Sequence, residues 1–130
     1  MTTPITTDRL TEILRDTIIG TVRRDGPDLS ARQFATMLIC YLGDGPHTVR
    51  GLAAQLDISK PAVTRSLDRL EELGLARRVV DPTDRRSVLI QRTREGTSYV
   101  SAVRSLLAEA FRRPAGSVSS RGRPRAAAAS

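Results

Sequence analysis

Apolar residues recur at helical spacing in five segments of the chain, and polar turn residues separate these segments. The first predicted helix begins after Thr6 or Thr7 and ends at the turn residues "DGPD" (25–28). The second opens at Ser30 and Gln33, which have the spacing of a capping box, and ends before "GDGP" (43–46). The apolar stripe of the first helix consists of Leu10, Leu14, Ile18 and Val22.

The third and fourth helices are separated only by the short turn "DIS" (57–59). The third is short and runs from Thr48. The fourth follows Ser59 as its cap, tolerates Pro61 in its first turn and ends at Gly74, which suits a left-handed position. Two short helices joined in this way predict a helix-turn-helix.

Two β-like segments, residues 75–80 and 87–92, follow the fourth helix and predict a hairpin with a loop longer than the minimal one. Thr93 then caps a fifth helix with a broad apolar face, which Pro114 ends. The predicted fold is therefore mainly α with a small β-hairpin wing. It is a winged helix-turn-helix over residues 1–113, followed by a disordered basic tail at 114–130 that is rich in Pro, Arg and Ala.

Basic charge is concentrated in one internal segment and in the tail. Of the net charge of +7, residues 48–94 carry ten basic and six acidic groups, and residues 112–130 carry five arginines and no acid. This asymmetry indicates a polyanionic partner such as double-stranded DNA, although an arginine-rich composition can also reflect genome base composition. The sequence shows no membrane-spanning segment or leader, and its single cysteine excludes an internal disulfide, so a cytoplasmic setting is expected.

The outward face of the fourth helix has the chemistry of a DNA-recognition helix. Its N-terminal half is basic and polar, whereas Asp68 and Glu72 make its C-terminal half acidic, a gradient that suits insertion of the N-terminus into a major groove. We expect Thr64 and Arg65 to read bases. The alternative interpretation is a solvated face on an ordinary helix. The recognition-helix candidates are Ser59, Lys60, Pro61, Thr64, Arg65 and Arg69.

Residues 30–96 resemble the MarR family of bacterial transcription regulators. The resemblance rests on "HTVRGLAAQLDIS", "KPAVTRSLDRLEELGLARR", "DPTDRR" and "RTREG" in this order and spacing. It implies a homodimer in which the first and last helices interlock, with Lys60 to Leu73 as recognition helix. The C-terminal dimerisation helix of the family is missing from its expected position, where Pro114 and the tail stand instead.

The resemblance also places a wing tip at Asp84, Arg85 and Arg86. From the residues themselves, we expect the two arginines to enter a minor groove and Asp84 to orient them through charge-assisted hydrogen bonds. A solvated turn is the alternative. Arg50, Arg77 and Arg78 are expected to contact the DNA backbone. In the tail, "RGRPR" resembles an AT-hook core with Arg121, Arg123 and Arg125 as minor-groove candidates, but we favour an incidental low-complexity end.

The remaining reactive side chains do not form a recognisable catalytic site, so the sequence does not predict an enzyme. One cysteine and one histidine provide no metal set, no catalytic triad and no cofactor motif, so Cys40 is interpreted as core filler and His47 as a structural or DNA-backbone residue. Neither a metal nor another cofactor is expected.

Two functional hypotheses remain. The first is a homodimeric, sequence-specific transcriptional regulator, acting as a repressor at a pseudo-palindromic operator and released by a small aromatic effector. By analogy with the family's architecture, the effector pocket would be lined by Leu14, Ile18, Tyr41 and Tyr99. The second is a protein-interaction module, or a truncated relative that pairs with a full-length regulator and modulates it.

Overall fold

Residues 3–117 are described by a computed structural model, and they form a mainly helical chain with a small antiparallel sheet. The predicted fold class is confirmed, including the wing that follows the helix-turn-helix. The elements in chain order are α1 (Thr7–Arg23), α2 (Ala31–Leu42), β1 (His47–Thr48), α3 (Val49–Leu56), α4 (Lys60–Glu72), β2 (Ala76–Asp81), β3 (Asp84–Arg92) and α5 (Arg94–Arg112).

Side-chain caps determine where the helices begin. Thr6 Oγ1 accepts the backbone N–H of Arg9 at 3.1 Å, which selects Thr6 over Thr7 as the cap of α1. Ser30 and Gln33 form the complete capping box, with bonds of 3.2 and 2.9 Å, and Ser59 caps α4. These caps satisfy N–H groups that have no partner within the helix, so the local sequence fixes the helix starts.

The described residues divide into two compact units, with residues 3–26 and 102–117 in unit 1 and Pro27–Ser101 in unit 2. The predicted domain boundary after residue 113 stays a prediction. Among residues 3–117, no helix has the combination of length and hydropathy that a bilayer span requires. The predicted tail begins at Pro114, and its residues 118–130 lie outside the described residues.

Unit 2 has a well-packed apolar core in which α3, α4 and the sheet meet α2. Its largest fully buried side chains include Met37, Leu52 and Leu67. Cys40 belongs to this core, and burial raises the pKa of its thiol to about 11, which agrees with its interpretation as core filler. The buried cluster consists of Met37, Cys40, Tyr41, Leu52, Val63, Leu67, Leu70, Leu75, Ala76, Ile90 and Val100.

The sheet of unit 2 has three strands in the order β1-β3-β2, all antiparallel. The short strand β1 was not predicted, because two residues are too few to show an alternation of apolar and polar positions. In β1, His47 pairs with Ile90 of β3. The predicted long hairpin loop is wrong. β2 and β3 approach each other until Asp81 pairs with Asp84, so that only Pro82 and Thr83 connect them.

Unit 1 buries little apolar surface and leaves much of it exposed. Ile13, Val103 and Ala110 are buried, together with the carboxylate of Asp16. This carboxylate lies 3.1 Å from Arg15 Nε and 3.6 Å from a guanidinium nitrogen of Arg113. The large apolar side chains that unit 1 exposes are Ile5, Leu10, Leu14, Ile18, Val22, Leu107 and Phe111.

Polar contacts from α1 hold the end of α5 in place within unit 1. Arg9 Nη2 donates to the carbonyl oxygens of Ala110 and Phe111, each at 3.0 Å, and Glu12 accepts the backbone N–H of Gly116 at 3.0 Å. The bond from Gly116 lowers the pKa of the Glu12 carboxyl. A positive side chain therefore satisfies the C-terminal carbonyls of α5, where the helix dipole favours it.

Candidate nucleic-acid interface

Helix α4 is held by one apolar face, which leaves its opposite face exposed. Val63, Leu67 and Leu70 are at most 1% exposed, whereas Lys60 and Arg65 point to solvent. The pattern arises because core positions recur at three- and four-residue intervals along the helix. The first turn of α4 is therefore free to meet a large ligand.

The turn between α3 and α4 is tight and specified by backbone conformation. Asp57 adopts φ 52°, in the left-handed region that a residue other than glycine seldom enters, and it ends α3. Leu52, which is 1% exposed, braces α3 within the core. At the other end of α4, Gly74 has φ 74°, as its predicted left-handed position requires.

The predicted recognition residues are accessible, and most of their charge is unpaired. Lys60 and Arg65 are exposed and form no ion pair with any other residue of the described 3–117 segment. Arg69 lies 3.6 Å from Glu72, so it is the exception. Ser59 is exposed and Thr64 half-buried, and Pro61 is exposed in the first turn. Free positive charge is therefore concentrated at the N-terminal end of α4.

The wing tip differs from its prediction in one respect that bears on binding. The strand register jumps from Val80 paired with Val88 to Asp81 paired with Asp84, so that Arg85, Arg86 and Ser87 have no counterpart on β2. The two arginines are thus part of a bulge in β3 and not of a loop. Bulges turn side chains away from the regular pleat.

Asp81 and Asp84 shape the wing tip through local hydrogen bonds. Asp81 Oδ1 accepts the backbone N–H and the hydroxyl of Thr83 at 2.9 and 2.7 Å, and these bonds lower its pKa. Asp84 Oδ1 accepts the backbone N–H of Arg86 at 3.1 Å and lies 3.7 Å from its Nε. Asp84 was expected to orient both neighbouring arginines, but the contacts found are with Arg86, whose side chain is 97% exposed.

A groove of about 410 Å³ joins the wing to both helices of the helix-turn-helix. It brings together Arg50 from α3, Lys60 from α4 and Arg86 from β3, three cations that the sequence places far apart. One carboxylate, Asp84, opposes them. The lining residues are Thr48, Val49, Arg50, Lys60, Asp84, Arg86, Ser87 and Val88.

Of the three arginines predicted to contact the DNA backbone, Arg50 and Arg77 are exposed. Arg78 is different, because its guanidinium bonds to Asp68 at 2.5 Å and to Glu71 at 3.0 Å. These carboxylates neutralise the charge that a phosphate would need, so the geometry does not support Arg78 as a backbone contact. Hydropathy alone did not reveal this pairing, since it depends on the position of β2 beside α4.

The predicted effector pocket also changes. Tyr41 is 8% exposed; its hydroxyl donates to the Leu75 carbonyl at 2.6 Å and accepts the backbone N–H of Thr93 at 3.0 Å. An added Cβ at Gly96 would lie 1.7 Å from this hydroxyl, so the glycine is required there. Tyr41 therefore links backbone groups within the core and is a poor candidate for contact with a ligand. Its position on an apolar helix face did not indicate these hydrogen bonds.

The other candidate residues are placed as follows. Leu14 and Ile18 are exposed in unit 1, and Tyr99 is half-buried in unit 2. His47 lies in β1, with Nε2 3.1 Å from the Gly43 carbonyl oxygen, which agrees with a structural role. No cluster of three or more potential metal ligands occurs within residues 3–117. Arg121, Arg123 and Arg125 lie outside the described residues.

Comparison with known proteins gives the chain its relatives. PecS, an HTH-type transcriptional regulator of Dickeya dadantii (strain 3937), is 36% identical over 77 residues, or 58% of this chain and 46% of PecS. The chain thus spans about half the length of this curated relative. The structure is also similar to transcriptional regulator Tm0710 from Thermotoga maritima (TM-score 0.62, 26% identity, 78% of this chain and 66% of that one).

A second similar structure is that of the S. aureus MepR–DNA complex, with a TM-score of 0.60, 25% identity and coverage of 78% of this chain and 74% of MepR. The sequence model of the MarR family matches residues 22–87, which run from the end of α1 through the helix-turn-helix into the wing. Because this match covers about half of the chain and includes both candidate DNA-contacting elements, the chain belongs to the MarR family.

Proposed function

We propose that this protein is a sequence-specific, DNA-binding transcriptional regulator that acts as a repressor. The observation that carries the proposal is the groove in which α3, α4 and the wing present Arg50, Lys60 and Arg86 together. Cations from three elements on one concave surface match the spaced phosphates of a duplex. The similarity to MepR, whose structure was solved in a DNA complex, supports the same partner.

In the proposed complex, the N-terminal half of α4 enters the major groove. Arg65 is exposed and unpaired, and its planar guanidinium suits the O6 and N7 acceptors of guanine, while Thr64 contacts a neighbouring base. Ser59 uses its oxygen to cap α4 and keeps its hydroxyl hydrogen for a phosphate, beside Lys60. Thr64 and Arg65 therefore contact the bases. The residues at the start of α4 contact phosphates and set the position of the helix along the duplex.

The wing grips the adjacent minor groove. Arg85 and Arg86 lie in the bulge of β3 and are exposed, and a narrow minor groove has the negative potential that attracts arginine. Asp84 holds the backbone of Arg86 and so limits the directions that its side chain can take. This contact contributes affinity with little dependence on base sequence.

We further propose that two copies bind together through unit 1. The stripe of Leu10, Leu14, Ile18 and Val22 is about half exposed along its whole length, and Leu107 and Phe111 on α5 are exposed as well. Contiguous apolar surface of this kind is typical of a protein interface. A homodimer would read two half-sites of a pseudo-palindromic operator about 34 Å apart, or a multiple of that distance.

Release from DNA by a small aromatic effector belongs to the same proposal and rests on the family resemblance. Titration of benzoate and related aromatic acids into the operator complex should lower the bound fraction. An unchanged bound fraction at saturating acid would contradict this part of the proposal and leave the DNA-binding part standing.

Arg65→Ala tests the proposal for base reading. Genomic fragments that bind the wild-type protein supply an operator duplex, and a scrambled duplex of equal length is the reference. Loss of a bidentate guanine contact should cost about 1–3 kcal/mol on the operator and much less on the scrambled duplex.

Arg94→Ala is the matched control for this test. Arg94 is exposed in unit 2, and the nine residues of β3 separate it from the wing tip by about 30 Å. It should leave both affinities unchanged within about twofold. Equal discrimination by Arg65→Ala and wild type would contradict the base-reading role, and a wild-type protein that shifts neither duplex would favour the protein-interaction alternative.

A further inference from the structure

Three side chains join the wing to the recognition helix, and we name them the Arg78 clamp: Arg78 of β2 with Asp68 and Glu71 of α4. One guanidinium nitrogen of Arg78 donates to Asp68 Oδ1 at 2.5 Å and to Glu71 Oε1 at 3.0 Å. The backbone N–H of Arg78 donates to Glu71 Oε2 at 2.9 Å. Arg78 thus binds α4 through both its side chain and its main chain.

The clamp acts on the whole hairpin because of where Arg78 lies in the sheet. β2 is an edge strand in the order β1-β3-β2, and Arg78 pairs with Ile90 of β3, which is buried. The backbone N–H that faces away from β3 would need water at a free edge, but here Glu71 accepts it. A contact at Arg78 therefore fixes both strands of the wing relative to α4.

The clamp also lies where bare carboxylates would oppose DNA. Asp68 is on the outward face of α4 with a side chain 58% exposed, and Glu71 is 39% exposed, whereas Arg78 is only 25% exposed. Two unpaired carboxylates beside a polyanion repel it, and the repulsion grows as salt is removed. Arg78 bonds to both of them, so its own charge is used within the protein.

We propose that Arg78 is a positioning residue for DNA binding: it sets the wing against the recognition helix and screens Asp68 and Glu71 without contacting a phosphate itself. This inference rests on the proposed function. It assigns to Arg78 a role different from that of its neighbour Arg77, which is exposed and remains a backbone-contact candidate.

The carboxylate of Glu71 keeps its charge around neutral pH. The backbone N–H and then the guanidinium of Arg78 donate to Glu71 and lower the pKa of its carboxyl below the ordinary value of 4.5. Glu71 is therefore ionised at neutral pH and can accept both bonds from Arg78.

A double-mutant cycle distinguishes a positioning residue from a phosphate contact. The proteins are wild type, Arg78→Gln, the double variant Asp68→Asn with Glu71→Gln, and the triple combination. Each is titrated with the selected operator duplex and with the scrambled duplex at five salt concentrations. Thermal unfolding of each free protein shows that it is folded before its affinity is used.

Positioning predicts that Arg78→Gln weakens operator binding about three- to tenfold in the wild-type background, because it frees two carboxylates and loosens the wing. The same substitution should change affinity by less than about twofold once Asp68 and Glu71 are neutral. The slope of log affinity against log salt should not become shallower, since no phosphate contact is lost.

A phosphate contact predicts the opposite on both measurements. Arg78→Gln would then weaken binding equally in the two backgrounds. The slope of log affinity against log salt would become shallower by about 0.9, the value for one lost phosphate contact. That result would overturn the positioning role while leaving the proposed function intact. Failure of the wild-type protein to bind either duplex would instead remove the proposed function, and the positioning role with it.

Hydrogen exchange and a conservative variant give readouts on the clamp itself. In the free protein, Arg78→Gln should speed exchange of the amide at position 78 and of its neighbours on β2, because the Glu71 acceptor is no longer held. Arg78→Lys keeps the charge but not the planar fork, so it should restore part of the operator affinity. Unchanged exchange in Arg78→Gln would contradict the clamp.

Discussion

The two units of the chain use apolar residues in opposite ways. In unit 2, the side chains that recur at helical spacing on α4 are covered: Val63, Leu67 and Leu70 are at most 1% exposed. In unit 1, the regular stripe of α1 is open to solvent, and Leu14 and Val22 are more than half exposed. The same pattern of hydrophobic positions thus marks a completed core in one unit and an uncovered surface in the other.

The difference shows what each unit needs to be stable. Unit 2 buries an eleven-residue cluster within its own fold, and this burial stabilises its helix-turn-helix and wing. Unit 1 relies on a few buried residues and on polar contacts such as those of Arg9, and it exposes surface that a second copy can cover. Apolar burial is therefore concentrated in the unit that carries the groove.

The largest effect should come from a cavity in unit 2. Leu67→Ala removes a side chain that is 1% exposed and should lower the free energy of unfolding by about 2–5 kcal/mol, independent of protein concentration. Leu42→Ala makes the same truncation at a position in unit 2 that is 58% exposed, and should cost less than about 0.5 kcal/mol. Equal losses in urea unfolding would show that the unit 2 core is misassigned.

A charge in the open stripe of unit 1 should destabilise the proposed dimer. Leu14 is 59% exposed in a single copy, and the proposed partner would bury it. The carboxylate of Leu14→Asp would lose its hydration there, which should weaken dimer formation by about 2 kcal/mol, or roughly 30-fold in dissociation constant. Light scattering after size exclusion measures the mass. Ala31→Asp is the control, since it adds the same charge at the exposed start of α2. Dimers of unchanged stability in Leu14→Asp would contradict the proposed interface.

The smallest effect concerns acid. Arg78 lowers the pKa of Glu71, so Glu71 contributes stability above the ordinary carboxyl value of 4.5 and loses it as pH falls through the folded-state pKa. The pair is partly exposed, and solvent screening limits the contribution to below about 1 kcal/mol. Wild type and Glu71→Gln should differ at pH 7 and converge as the pH falls below the folded-state pKa of Glu71. A constant difference would show that ionised Glu71 is not the cause.

Local signals in the sequence were sufficient to predict most of the elements. Ser30 and Ser59 cap helices as predicted, and Thr6 is one of the two caps expected for α1, because capping depends on residues three positions away. The wing loop and β1 were missed. Strand ends are fixed by pairing across the sheet, such as Asp81 with Asp84 and His47 with Ile90, and this information lies far apart in the chain.

The candidate site was predicted by residue type but not by partner. The sequence identifies Lys60, Arg65 and Arg86 as accessible cations, and the structure shows them accessible. The sequence could not show that Arg78 has two acidic partners on α4. It also could not show that the Tyr41 hydroxyl is buried and hydrogen-bonded to the backbone. Both features depend on which strand packs beside which helix. The spacing of hydrophobic positions and the distribution of charge along the chain do not specify such tertiary contacts.

The salt dependence of DNA binding tests the central claim most directly, because it counts the phosphates that this surface neutralises. Wild type and the double variant Arg85→Ala with Arg86→Ala are titrated with the operator and scrambled duplexes over a range of salt. Loss of both wing arginines should weaken binding to both duplexes and make the slope of log affinity against log salt shallower by about 1.8. Affinity and slope equal to those of wild type would contradict the account, since the wing would then be a solvated turn that takes no part in binding.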